Sequence, residues 1–439
     1  MPAPGLGQYR ELISGVDPLV HRGRITQVVG LVAEAQGIVL PVGAGVFIHL
    51  GPDQSVLGEV VGFKGDRMLI MPYAETRGLQ PGCLVSPAGN ESLVRVGPAL
   101  LGRAIDGLGH PCDGGPEIEY QTLYPLHNSP PPAMSRRRIT EPVDVGVRVV
   151  NAVLTLGKGQ RIGVFAGSGV GKSTLMGMMA RHTAADVSVI ALVGERGREV
   201  RDFIERDLGP EGLKRSVVVV ATSDQPALVR IRAAYLATSV AEYFRDQGAD
   251  VVLMMDSVTR FALAAREVGL SVGEPPTTKG YTPSVFAQLP RLLERAGTTG
   301  NAGSITGIYT VLVEGDDVTE PVSDAMRSIL DGHVVLTRRL ADQGHFPAIE
   351  VLGSVSRLVP DLNPPEVLKS ARELTELLAA YRRAEDLINI GAYAEGTSPR
   401  IDRAIRMMEG IKAFLTQDMD QGVDLDSSRA QLMALMAQR

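Results

Sequence analysis

The sequence predicts an α/β chain in three parts: a small antiparallel β-barrel, a parallel sheet layered between helices, and a helical C-terminal region. Three observations carry this reading. Short apolar runs broken by glycine fill the stretch before Val96, β-branched runs alternate with amphipathic stretches from Gln160 to Thr337, and strand signals stop after Pro364-Pro365. At 439 residues the chain exceeds the roughly 250–300 residues that one core serves, so more than one domain is required. The expected boundaries are an N-terminal arm at 1–22, the barrel at 23–96, the central domain at 97–363 and the helical domain at 364–439.

The barrel is read from Ile25–Val32, Val46–Leu50, Val56–Val61, Met68–Met71 and Cys83–Val85, all short and rich in β-formers. The arm before Arg22 has little pattern, as expected of a partner-docking terminus. Pro125 and the run Pro130-Pro131-Pro132 cannot form helix or central strand, so that passage is expected extended on the surface. Arg136-Arg137-Arg138 is too short a basic run for a nucleic-acid patch and is read as a solvated linker. The central strands are expected at Ile162–Phe165, Val187–Val193, Val217–Ala221, Val251–Met255, Ile305–Val313 and Val334–Thr337. Helices such as Ala227–Arg245 lie between them, the pattern of βαβ crossovers and a sheet buried on both faces. After Pro365, Leu374, Leu378 and Tyr381, then Ile405, Met408 and Ile411, recur at helical spacing, with Ser398 before Pro399 as a helix start.

Composition narrows the function. A net charge of −6 gives no broad electrostatic footprint for nucleic acid, and 44% hydrophobic with 21% charged residues describes a globular chain. Only Cys83 and Cys112 are present, too few for a disulfide framework or a four-ligand zinc site, which fits a reducing cytoplasm. With no apolar run near the roughly 18 residues of a span, membrane contact is expected to be peripheral.

The strongest motif is Ala166-Gly167-Ser168-Gly169-Val170-Gly171-Lys172-Ser173-Thr174, between the strand Ile162–Phe165 and a helical stretch. It is a phosphate-binding P-loop: glycines let successive N–H groups turn inward around an anion, Lys172 reaches the β- and γ-phosphates, and the Ser173 hydroxyl suits Mg²⁺. Ala166 replaces the motif's first glycine, which asks only that the backbone angle there suit a small side chain.

Hydrolysis also needs carboxylates at neighbouring strand ends. Asp256 closes the run Val251–Met255 and suits Mg²⁺, directly or through water; the alternative is a helix N-cap ahead of Val258. Glu195, in Gly194-Glu195-Arg196-Gly197-Arg198-Glu199, is placed to orient or deprotonate water; the alternative is a surface ion pair with an arginine.

These segments, with Met255–Phe261 and Pro347–Arg357, resemble the rotary ATP synthase α/β family over nearly the whole chain. Gly273–Pro276, Gly280–Phe286, Leu292–Gly297 and Val313–Asp317 resemble its protein-export branch, the flagellar members first and the injectisome members second. Glu350 and Ser398-Pro399 depart from residues common in relatives. The resemblance implies a RecA-like P-loop ATPase core between barrel and helical domain, assembled as a homohexamer that binds ATP and Mg²⁺ between subunits. It further implies Glu195 as catalytic base, Lys172 and Ser173 on phosphates and metal, Arg196 and Arg260 on the γ-phosphate side, and Asp256 as the magnesium-side acid. Arg357 becomes an arginine finger supplied in trans, Phe346 an aromatic stacking on adenine, and Tyr393 a second pocket residue. By their types alone, Arg357 is an ordinary ion-pair arginine and Phe346 a core aromatic. The implied partners are a regulator or stator, a central stalk, chaperone–substrate complexes and a membrane export gate, at the cytoplasmic face of the inner membrane.

Two other classes fit the pattern less well. A ring-shaped RNA translocase also sets a small barrel before such a core. Here, though, the barrel has Arg24, Lys64, Arg67 and Arg77 against Glu34, Asp53, Glu59, Asp66, Glu75 and Glu91, a poor surface for tracking phosphates. A non-catalytic ring subunit has little support beside Lys172 and Glu195.

Overall fold

The computed structural model describes residues 21–89, 92–300, 303–313 and 320–438. The expected arm (apart from its last two residues), Glu91 and the acidic segment 314–317 lie outside them. The chain forms two compact units, one containing the residues up to Ser92 together with Leu270–Glu274, the other containing the rest.

The first unit is a closed six-stranded barrel in the order Gly23–Val29, Val32–Gln36, Arg67–Pro72, Ser55–Lys64, Gly45–His49, Leu84–Pro87. Period-two alternation fills its interior with Ile25, Ala33, Ala35, Val46, Ile48, Val60, Met68, Ile70 and Val85. The run expected as one strand, Ile25–Val32, is two. Gly30 adopts φ 57°, open to glycine without penalty, and the chain reverses there into Val32–Gln36. Glu34, only 4% exposed, accepts from Arg67 at 2.7 Å and Lys64 at 3.3 Å, and Arg77 pairs with Glu75 at 3.2 Å, so three of the barrel's four expected basic residues are engaged by a carboxylate.

The second unit is built on a nine-stranded sheet. Along its main path the order is Val355–Ser356, Gly332–Leu336, Arg161–Ala166, Ser304–Leu312, Asp250–Asp256, Val187–Val193, Ser216–Ala221, Arg103–Asp106. All neighbours are parallel except the edge strand Val355–Ser356. Every residue of Val187–Val193 is buried, as a strand covered by helices on both faces requires. Arg103–Asp106, four residues with two charges, had no readable strand signal and completes the far edge.

Helix Ala227–Asp246 packs beneath this sheet. The helices Pro365–Asn389, Pro399–Leu415 and Leu425–Met436 share one core with it, running from Ile190, Met254 and Val334 to Leu374, Leu377, Ile411 and Leu432. At about 1.5–3 kcal/mol for each fully buried Leu or Ile, such docking outweighs helix propensity in holding these elements. Ser398 sits at the start of Pro399–Leu415, but its side chain makes no capping bond.

The Pro-rich passage is extended, Thr122–Pro125 pairing only with Leu93–Val96. The arginine triplet that follows is not a merely solvated linker. Arg136 donates to the carbonyls of Glu294 and Ala296, Arg137 to those of Thr299 and Gly303, and Arg138 pairs with Asp361 at 3.0 Å. Deep beside it, Arg295 and Glu242, 1% and 0% exposed, make a two-point pair at 2.7 and 2.9 Å. Arg295 also donates to the Leu126 carbonyl and to Ser239.

Candidate functional site: a phosphate-binding cleft

The strand Arg161–Ala166 ends in the P-loop, and the loop in helix Lys172–His182. Gly169 and Gly171 adopt φ 75° and 91°, angles costly for residues with a Cβ. Ala166 remains in the strand, paired in register with Leu312 and Leu336, and is not among the residues of positive φ. The motif's missing first glycine is therefore not needed for backbone freedom here. Gly167, Ser168, Gly169, Gly171, Lys172, Ser173 and Thr174 line a cleft of about 670 Å³, within the range of small-molecule sites. Val170 is 1% exposed and turns its side chain into the core, leaving only its backbone to the loop.

Three sheet strands deliver the charges. Lys172 Nζ donates to Asp256 Oδ1 at 2.5 Å and to Glu195 Oε1 at 3.4 Å. Asp256 is 3% exposed and also accepts from the Thr310 hydroxyl at 2.7 Å. Its carboxylate is thus engaged by the lysine, at the strand end just before helix Val258–Ser271. Glu195 likewise meets Lys172 rather than an arginine, while Arg196 pairs at 3.5 Å with Glu199. Burial, with help from the Asp256 charge, pushes the Glu195 carboxyl up to about 7 against the pull of Lys172. Burial acts to lower the Lys172 ammonium, but the Asp256 and Glu195 carboxylates prevail and raise it. The result is a cation held ready for phosphate beside a carboxyl group that titrates near neutrality.

Arg196 and Arg260 line the same cleft. Gly194, at φ 74°, makes room for Arg260, since a Cβ there would fall 2.7 Å from that of Arg260. Arg260 Nε is buried with no hydrogen-bond partner among the described residues. Phe346 stands beside the loop, its ring 3.6 Å from where a Cβ on Gly171 would be, and is 46% exposed.

Tyr393 and Arg357, like the buried Asp256 and Val170 and the neighbouring Phe346, are not among the residues that line this cleft. Tyr393 lies between the last helices, its hydroxyl donating to Asp402 at 2.8 Å. Arg357 follows the edge strand Val355–Ser356, separated from the P-loop strand by Gly332–Leu336. It is exposed, and its guanidinium has no hydrogen bond or ion pair among the described residues. The cleft also holds Thr259, Glu320 and Arg338, which sequence reasoning passed over. Arg338 donates to the Ser168 carbonyl at 2.9 Å. Its position just past the strand Gly332–Leu336 was the available signal, because ligands of open α/β sheets gather at the carboxyl ends of strands.

Comparison with known proteins agrees with this geometry. Residues 146–356 match the nucleotide-binding domain of the ATP synthase alpha/beta family, residues 25–89 its beta-barrel domain, and residues 363–434 the T3SS EscN ATPase C-terminal domain. The chain is 53% identical over 429 residues to a flagellum-specific ATP synthase of Bacillus subtilis, covering 97% of each. It is similar to the assembled ATPase EscN of the enteropathogenic E. coli type III secretion system, at 45% identity and TM-score 0.90, covering 94% of this chain and 100% of that one. It is also similar to the same ATPase in complex with its central stalk EscO, at TM-score 0.87, 45% identity and the same coverage. With barrel, nucleotide-binding and C-terminal regions all matched and the P-loop cleft formed, the chain belongs to the ATP synthase alpha/beta family, in its type III secretion ATPase branch.

Proposed function

We propose that this chain hydrolyses Mg-ATP as a ring of six identical subunits and energises type III protein export for flagellar assembly, releasing and unfolding substrates from their chaperones. The observation that carries the reading is Lys172 set between Asp256 and Glu195 at the mouth of a P-loop. Glu195 takes the proton of the attacking water, Lys172 and the loop amides hold the phosphates, and Arg196 and Arg260 face the γ-phosphate side. The unpartnered Arg260 Nε suits an incoming anion. Phe346 stacks on the base, Tyr393 flanks the pocket more remotely, and Arg357, free at the sheet edge, reaches the site of the next subunit.

The donors around Lys172 fit Mg²⁺: Ser173 and Asp256 offer hard oxygen ligands, and a phosphate-bound magnesium needs only one or two from protein. Among the described residues no cluster of three or more His, Cys, Asp or Glu side chains could hold a metal ion. Magnesium held by Ser173 and Asp256 would supply positive charge to offset that of the phosphates.

The partners we assign are a central stalk, a regulator or stator, chaperone–substrate complexes and a membrane export gate; the EscN–EscO complex supports the stalk. No described helix is long and apolar enough to cross a membrane. Attachment to the cytoplasmic face of the inner membrane is therefore through partners. A nucleic-acid role is disfavoured by the engagement of Lys64 and Arg67 with Glu34.

Phosphate release by the purified oligomer in ATP and magnesium tests the reaction; absence of both binding and release overturns it. Partners recovered with the full chain separate a flagellar from an injectisome assignment, and activity dependent on RNA would favour the translocase.

A further inference from the structure

One short connector touches both the helix that follows the P-loop and the backbone of Phe346. Residues 416–424 join helix Pro399–Leu415 to Leu425–Met436. The helix that begins at Lys172 ends against it: Arg181 pairs with Asp420 at 3.0 Å and donates to the Met419 carbonyl. The His182 ring is clamped between two backbones, since a Cβ on Gly146 would overlap its own and one on Gly422 would fall 2.6 Å from its Nδ1. From the same connector, the Gln417 N–H donates to the Phe346 carbonyl at 2.9 Å.

Gln417 holds this connector in place. Its side chain, 7% exposed, donates through Nε2 to the Gly146 carbonyl at 2.8 Å and the Gln421 carbonyl at 2.6 Å, and accepts the Arg148 N–H at 2.8 Å. A buried amide with both donors and its acceptor used has one low-energy position. Phe346, nearly half exposed, has little packing of its own to settle its ring, so its placement follows the backbone that Gln417 grips.

We propose that Gln417 is a positioning residue of the nucleotide site, holding Phe346 at the depth where a purine base stacks beside Gly171. This rests on the reading of Phe346 as the base-stacking aromatic.

Titrating the intact protein with Mg-ADP and with magnesium tripolyphosphate separates base from phosphate binding. Gln417→Met keeps the volume and removes three hydrogen bonds, so its Kd for ADP should rise about tenfold while its Kd for tripolyphosphate stays unchanged. Gln417→Glu, which sets a carboxylate against two carbonyls, should do so more strongly. Gly422→Ala, which displaces the connector from the His182 side, gives the same readout if the Gln417 variants do not fold. Equal losses for both ligands, or unaltered ADP affinity in a folded Gln417 variant, overturn the proposal. Combined with Phe346→Ala, Gln417→Met should add no further loss; additive losses also overturn it. Phe346→Ala that binds ADP as the wild type does overturns the stacking reading itself. A Phe346→Ala loss without any Gln417 effect overturns only the role of Gln417.

Discussion

The Lys172 ammonium lies 2.5 Å from a carboxylate oxygen of Asp256, and both side chains are almost wholly withdrawn from water. A lysine at the head of the P-loop helix and a carboxylate at a strand end thus meet beside the loop where the proposed triphosphate would arrive. Lys172→Ala should abolish ATP binding and lower hydrolysis by about 10²- to 10³-fold, as losing a preorganised charge at a reacting phosphate does. Nucleotide titration alongside phosphate release checks it; retained affinity would remove Lys172 from the phosphate site.

With Glu195 as the proposed base, its carboxyl should set the pH response. A carboxyl group serves as base only when ionised, and burial holds this one protonated up to about 7. The competent fraction therefore grows as pH rises, and kcat/KM should increase about tenfold from pH 6 to pH 8. Glu195→Gln should lose that limb together with most turnover. A flat wild-type profile over this range would point to another base.

Arg357 is proposed to act in a neighbour's site, so Arg357→Ala should bind nucleotide normally yet lose about 10³-fold in turnover. Arg357→Lys should not restore it, because an ammonium lacks the planar fork. Mixing inactive Lys172→Ala and Arg357→Ala proteins should regain activity, since the first supplies an arginine to the intact cleft of the second. Mixed rings that stay inactive would place the finger elsewhere.

Among the described residues, Arg295 and Glu242 are the least exposed charged side chains. Glu242→Gln leaves a guanidinium uncompensated in a dry interior and should cost about 3–5 kcal/mol, read from the denaturant midpoint. A shift within error would mean that water reaches the pair.

Much of this was legible in the sequence where the local pattern is strong. Val187–Val193 and Asp250–Asp256 were readable because a doubly covered strand is continuously apolar, and the P-loop because its glycines, lysine and hydroxyl each have one reason to be there. What escaped depended on distant pairing. Arg103–Asp106 becomes a strand only because Ser216–Ala221 offers it an edge. Arg136 and Arg137 look like free charges until the carbonyls near Ala296 and Gly303 come within reach. Arg338 and Gln417 have no motif at all; their roles arise where strand ends and the last helices converge on the loop.

The position of Arg357 has an arithmetic consequence. With Arg357 acting in a neighbour's site as proposed, each subunit offers a projecting finger on one flank and a waiting socket on another, and these surfaces are not copies of each other. A head-to-tail row built this way always leaves one socket empty at its end until the row closes on itself. Truncated arcs should thus work below their subunit count by one, and closure, more than size, would bring the machine to full output.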